Sequence, residues 1–154
     1  MKKLKIIGCG SLLTGDDAAG CKVAENLLKM NFPPDVKIIE AGTPGLNLLH
    51  LMEPGDNVII IDAVCSGKPA GTITVFSEAE LPQPEQMPLS AHQLAIPEAI
   101  KLGRTVQPEL MPQSIEIWGI EVTLPLKSKM EISPEIKTAI QKMTEKVKQM
   151  IEKT

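Results

Sequence analysis

The stretch Ile6-Ile7-Gly8-Cys9-Gly10-Ser11-Leu12-Leu13-Thr14-Gly15-Asp16-Asp17-Ala18-Ala19-Gly20 passes from an apolar run through a glycine turn to two adjacent carboxylates. Residues 4–9 are short, apolar and bounded by Gly8 and Gly10, the pattern of a buried strand that ends in a tight turn. Val23, Ala24, Leu27 and Leu28 then recur at the spacing of an apolar helical stripe, and Asp16 and Asp17 stand where acids favour a helix start. A strand, a turn and a helix in that order place the two carboxylates at a strand's carboxyl end, where open α/β sheets bind their ligands. A dinucleotide fingerprint would need a third glycine at Leu13, and a phosphate loop would need Gly-Lys-Ser/Thr at Gly15-Asp16-Asp17. Two carboxylates also repel phosphate, so the turn suits a metal cation, a proton transfer or a helix cap.

Further along, residues 36–40 read as a second strand after the Pro33-Pro34 break. Thr43 is placed to cap a helix with Pro44 at its first position and Leu46, Leu48, Leu49, Leu51 and Met52 as its apolar residues. Val58-Ile59-Ile60-Ile61 is the most strongly apolar run, hence the central strand, and Asp62 follows it directly. Residues 66–71 are too few for a crossover helix, so the β-rich segment 72–76 is expected to pair antiparallel with the central strand, at the sheet edge. A proline-rich stretch, 78–91, leads to a helix beginning near His92, with Pro97 in its first turn. The last strand spans 114–122, with Ile115, Ile117 and Ile120 as core candidates. The final helix has Ser133 as N-cap, Pro134 at N1 and an apolar series Ile136, Ile140, Met143, Val147. This order predicts a three-layer α/β/α sandwich around a mixed, mostly parallel sheet of about five strands, with right-handed crossovers on both faces.

The chain has 154 residues and 43% hydrophobic content, enough for one domain, 1–154, with a single sizeable core. A net charge of −3 with scattered lysines and almost no aromatic residues argues against nucleic acid as a partner. No apolar run reaches membrane-spanning length, and the apolar residues after Lys3 stop at Gly8, too early for a signal peptide, which points to the cytoplasm. Cys9, Cys21 and Cys65 are an odd number without paired spacing, so neither a disulfide framework nor a zinc knuckle is expected.

Three positions carry the chemistry: Asp17 with Asp16 beside it, Asp62, and His92, each at a strand or loop end on one edge of the sheet. Two carboxylates and an imidazole suit a borderline metal such as nickel, zinc or iron. Each also has a plainer reading. Asp16 or Asp17 serves equally as a helix-start acid, and His92 as a helix-start histidine, whereas Asp62 is costly to bury unless paired or used. His50 and Trp118 read as structural.

The blocks Gly8 to Gly20, Gly42-Thr43-Pro44-Gly45, Ile60-Ile61-Asp62-Ala63 and Ser90-Ala91-His92-Gln93-Leu94, in this order, resemble the signature blocks of the nickel-iron hydrogenase maturation endopeptidases. The resemblance implies an α/β/α sandwich that removes a C-terminal extension from the hydrogenase large subunit after nickel insertion. By resemblance, Asp17, Asp62 and His92 are the metal contacts and catalytic residues, and Gly42, Thr43 and Gly45 belong to a substrate-recognition loop. The nickel is carried by the substrate, and no tightly bound cofactor is implied. Ser11 stands where the family commonly has asparagine and Ala18 where it has glycine, and Asp17 takes the place of glutamate in some members. Two other readings compete: a hydrolase of small molecules that keeps its own metal, and a non-enzymatic nickel- or nucleotide-binding module.

Overall fold

The computed structural model describes residues 3–11, 15–81, 91–123 and 131–153, with backbone alone for 91–95. The strands are β1 (Leu4–Cys9), β2 (Val36–Gly42), β3 (Asn57–Val64), β4 (Ile73–Ser77) and β5 (Ser114–Glu121), and the helices are α1 (Ala19–Leu28), α2 (Ala91–Val106) and α3 (Pro134–Glu152). They form one sheet in the order β2-β1-β3-β5-β4, in which only β4 runs antiparallel.

Alternation along the strands sends successive side chains to opposite faces. Ile59, Ile61 and Ala63 of β3 meet Val23 and Leu27 of α1 and Ile136, Ile140 and Met143 of α3. Val58 and Ile60 meet Leu48, then Ile96, Ala99 and Ile100 of α2, on the other face. Burial on both faces is why the central strand is continuously apolar, and the expected three-layer sandwich is the one observed.

Three local expectations are corrected. The segment after Thr43 is a 3-10 helix, Gly45–Leu51, whose cap position is Pro44 rather than Thr43. Gly45 takes a φ of +55°, outside the α region, so a regular helix cannot start there. Pro97 lies seven residues into α2 rather than in its first turn, and its ring nitrogen gives up one helical hydrogen bond. Most consequentially, β4 does not pair with β3, because β5 lies between them. The connection after β3 steps across the end of β5, spanning two strand spacings, about 10 Å. There the Gly71 N–H donates to the Glu121 carbonyl at 2.9 Å and the Glu121 N–H donates to the Thr72 carbonyl at 2.8 Å. The fully buried Glu121 carboxylate fills the arch, accepting hydrogen bonds from the Ser66 N–H (3.0 Å to Oε2) and the Ser66 hydroxyl.

Among the described residues, no helix is long and apolar enough to cross a membrane. At the amino edge of the sheet, Lys5 is buried against Asp56, Nζ to Oδ2 2.9 Å, with the more exposed Glu53 at 3.3 Å. Strands β1 and β3 open there, and their carboxyl ends lie at the opposite edge.

Candidate active site

Chain direction fixes what gathers at the carboxyl edge. From β1 the chain turns back through α1 to β2 on one side, while from β3 it proceeds toward β4 and β5 on the other, so β1 and β3 flank the point where connections diverge. Crevices at such switch points are the usual ligand sites of open α/β sheets.

Asp16 and Asp17 lie in a buried 3-10 turn, Gly15–Ala18, that follows β1 and packs against β3. Two close approaches seat it. A Cβ on Gly10 would collide with the Asp17 carbonyl, and one on Gly20 would collide with the carbonyls of Ile61 and Cys9. α1 therefore starts directly on the carboxyl ends of β1 and β3, with Asp17 three residues before the contact. The Cys21 thiol reinforces the turn by donating to the Gly10 carbonyl at 3.2 Å.

Asp62 is the sixth residue of β3 and is buried. By alternation it shares the α2 face with Val58 and Ile60. Its Oδ1 accepts the Ala63 N–H at 2.8 Å. Burial, then the Asp62 charge, then Cys21, push the Cys9 thiol well above its ordinary value. Burial also pushes the Cys21 thiol up to about 11.

His92 is the second residue of α2, and its side chain lies outside the described ones. The backbone nevertheless fixes its end of the molecule. β4 is antiparallel and ends beside the start of β5 at the amino edge, and Glu78 follows it there. Arg104, near the end of α2, grips Glu78 with two nitrogens, at 3.0 and 2.9 Å. α2 therefore ends at the amino edge and, about 24 Å long at 1.5 Å per residue, begins at the carboxyl edge. Its Ile96 is buried in the layer that Asp62 faces. Ser90 lies outside the described residues.

The 42–45 loop closes the other flank. The Gly10 N–H donates to the Gly42 carbonyl at 2.8 Å, which sets the loop beside the turn after β1. Thr43 is exposed. Gly42 and Gly45 hold left-handed φ values of +63° and +55° with open space where a Cβ would stand, so both glycines serve conformation.

The sequence-predicted residues thus divide. Asp17 and Asp62 come to adjoining strand ends, the first turn of α2 lies at the same edge, and residues 42–45 border it. Asp16 is drawn elsewhere, to the start of α3, where its Oδ1 accepts the Ser133 N–H and its Oδ2 the Ser133 hydroxyl, both at 2.7 Å. Sequence reasoning missed Glu121, although an acid closing an apolar strand is the same signal that singled out Asp62. His50 is exposed on the 3-10 helix, and Trp118 is buried with Lys146 over its ring, 5.2 Å from the centroid. Among the described residues no three acids, thiols or imidazoles stand close enough to hold a metal ion, and His92's side chain is not one of those described.

Residues 21–150, which include Asp62 and His92, match the family model described as hydrogenase maturation protease. The chain is 33% identical over 151 residues to a putative hydrogenase maturation protease of Methanocaldococcus jannaschii, covering 94% of this chain and 93% of that one. It is 29% identical over 147 residues to the hydrogenase 2 maturation protease of Escherichia coli, covering 94% and 88%. In structure it resembles the hydrogenase maturating endopeptidase HybD from Escherichia coli, with a TM-score of 0.80, 26% identity and coverage of 94% and 89%. The [NiFe] hydrogenase maturation protease HybD from Thermococcus kodakarensis gives a TM-score of 0.76 at 25% identity, with coverage of 97% and 99%. A match over most of the chain, shared by sequence and by fold, makes this protein a member of the hydrogenase maturation protease family, and its activity that of a hydrogenase maturation endopeptidase.

Proposed function

We propose that this endopeptidase removes the C-terminal extension of a nickel-loaded hydrogenase large-subunit precursor, and that the nickel already bound in the substrate is its recognition element. Asp17, Asp62 and His92 contact that nickel, so only a loaded precursor is held correctly. The observation that carries the reading is the placement of two buried carboxylates at the adjoining ends of β1 and β3, on the edge where α2 begins with His92 in its first turn. Carboxylate and imidazole donors suit nickel. Gly42, Thr43 and Gly45 form the loop that meets the substrate chain.

In the reaction, water adds to the scissile carbonyl, the C–N bond breaks and the leaving amine takes a proton. Asp17 or Asp62 can take the proton from water as general base, and the substrate's metal can polarise the carbonyl. The reading places the reaction in the cytoplasm, supported by three free thiols, Cys9, Cys21 and Cys65, which suit a reducing compartment.

The test is incubation of the precursor, with and without prior nickel loading, followed by mass analysis. Loss of a C-terminal peptide from the loaded form alone is expected, and Asp62→Asn and His92→Ala should each abolish it. Wild-type processing by both variants would refute the residue assignment, and cleavage of unloaded precursor would refute the nickel checkpoint. A small-molecule hydrolase with its own metal would instead copurify with stoichiometric zinc or nickel.

A further inference from the structure

Four buried carboxylates lie toward the carboxyl edge: Asp16, Asp17, Asp62 and Glu121. Two of them are engaged in the same way, each gripping the N–H and the hydroxyl of one serine. For Glu121 the serine lies in the adjoining arch, but for Asp16 it is Ser133, 117 residues away.

Ser133 is the residue from which α3 departs. Its carbonyl accepts the Ile136 N–H at 3.0 Å and the Lys137 N–H at 2.9 Å, and its backbone is extended, with φ of −60° and ψ of 148°. Its hydroxyl makes no bond back into the helix and is turned instead onto Asp16. The Asp16 carboxylate therefore does the work of an anchor, tying the 3-10 turn after β1 to the start of α3.

A 3-10 turn has three residues per turn, so neighbouring side chains diverge by about 120°. With Asp16 directed at α3, the side chain of Asp17 leaves in a different direction. The turn is held from below as well, by the close approach of Gly10 to the Asp17 carbonyl.

We infer that Asp16 is a positioning residue: its two-oxygen grip on Ser133 fixes the turn and so sets where Asp17 stands, while Asp16 itself touches neither substrate nor metal. This rests on the proposal that Asp17 contacts the substrate's nickel. It also separates two adjacent acids of identical chemistry into a scaffold and a working group.

The test compares wild type with Asp16→Asn, Ser133→Ala, the double variant, and Ser133→Thr as the conservative control. Asparagine presents an amide to the Ser133 hydroxyl or N–H, alanine removes the hydroxyl, and threonine keeps both donors. The first readout needs no substrate: backbone amide exchange across residues 15–18 should quicken about tenfold in both disruptive variants, as loss of a bond to a charged group implies. The second is kcat and KM for nickel-loaded precursor at a temperature where every variant is folded. Misplacement of the turn should lower kcat roughly 10- to 100-fold in either single variant, with little further loss in the double variant and near-wild-type rates for Ser133→Thr. Unchanged exchange would overturn the anchor. Wild-type kcat in folded Asp16→Asn and Ser133→Ala would reduce it to a purely structural bond. An inactive Asp16→Asn beside a fully active Ser133→Ala would make Asp16 a direct contact. If wild type fails to cleave loaded precursor, the proposed function falls by itself, and the exchange experiment alone decides whether the anchor holds the turn.

Discussion

Replacing Gly20 by alanine sets two physical effects against each other with opposite signs. Gly20 is the second residue of α1, where helix propensity alone favours alanine by up to about 1 kcal/mol. The added Cβ, however, meets the carbonyls of both Ile61 and Cys9. Neither oxygen sits on a flexible side chain; each belongs to a strand at the centre of the sheet. To restore van der Waals separation α1 must lift by roughly 1 Å, and overpacking of this kind costs about 1–3 kcal/mol. The net expectation for Gly20→Ala is a loss of about 1–2 kcal/mol, read as a lower urea midpoint at unchanged m-value. Because Asp17 rides on the same segment three residues earlier, precursor processing by the folded variant should also fall, by up to about 100-fold. A protein as stable as wild type or more so would refute the packing account, since helix propensity would then have won. A destabilised protein with undiminished kcat/KM would refute the coupling between the seat of α1 and the site.

At the amino edge, Asp56→Asn should leave the buried Lys5 ammonium, among the described residues, with the exposed Glu53 as its ionic partner, costing about 3 kcal/mol by denaturation; processing by the folded fraction should stay at the wild-type rate. The thiols give a pH dependence. Burial holds the folded Cys21 proton to about pH 11 against an ordinary 9.0, so the native state keeps it when the unfolded chain has lost it. The stability from this group is complete below pH 9 and declines as pH rises toward 11. Cys9 adds to the decline in the same direction, and alanine in place of Cys21 should flatten it. Alkylation of native protein at pH 8 should label Cys65, the half-buried thiol, well before the other two; early labelling of Cys21 would contradict its place beneath the turn.

What the sequence disclosed follows from how local each determinant is. Burial on both faces writes itself as an uninterrupted apolar run, so Val58 to Ile61 announces the central strand. Ser133-Pro134 ahead of a regular apolar stripe announces α3 just as directly. Where two elements must choose a neighbour, local pattern is silent. The short connection after β3 can make a hairpin or step over a strand, and which it does rests on β5, far later in the chain, which pairs with both β3 and β4 and whose Glu121 fills the arch. The same limit applies to Asp16 and Asp17. Their adjacency in sequence marks a site but gives no division of labour, which depends on a serine at the far end of the chain. Asp62 was legible because a carboxylate after four apolar strand residues is expensive to bury without a use.

The insertion of β5 between β3 and β4 governs the order in which the molecule can assemble. Until residues 114–121 have been synthesised, β3 and β4 lack the strand that joins them, and each keeps an open edge. Such long-range pairing is slow, because the loop must close before any contact stabilises it. The arch around Glu121 closes with the last residue of that same strand, and the anchor at Ser133 comes later still along the chain. A nascent chain on the ribosome thus carries Asp16, Asp17 and Asp62 well before β5 and α3 are there to complete the sheet and anchor the turn around them.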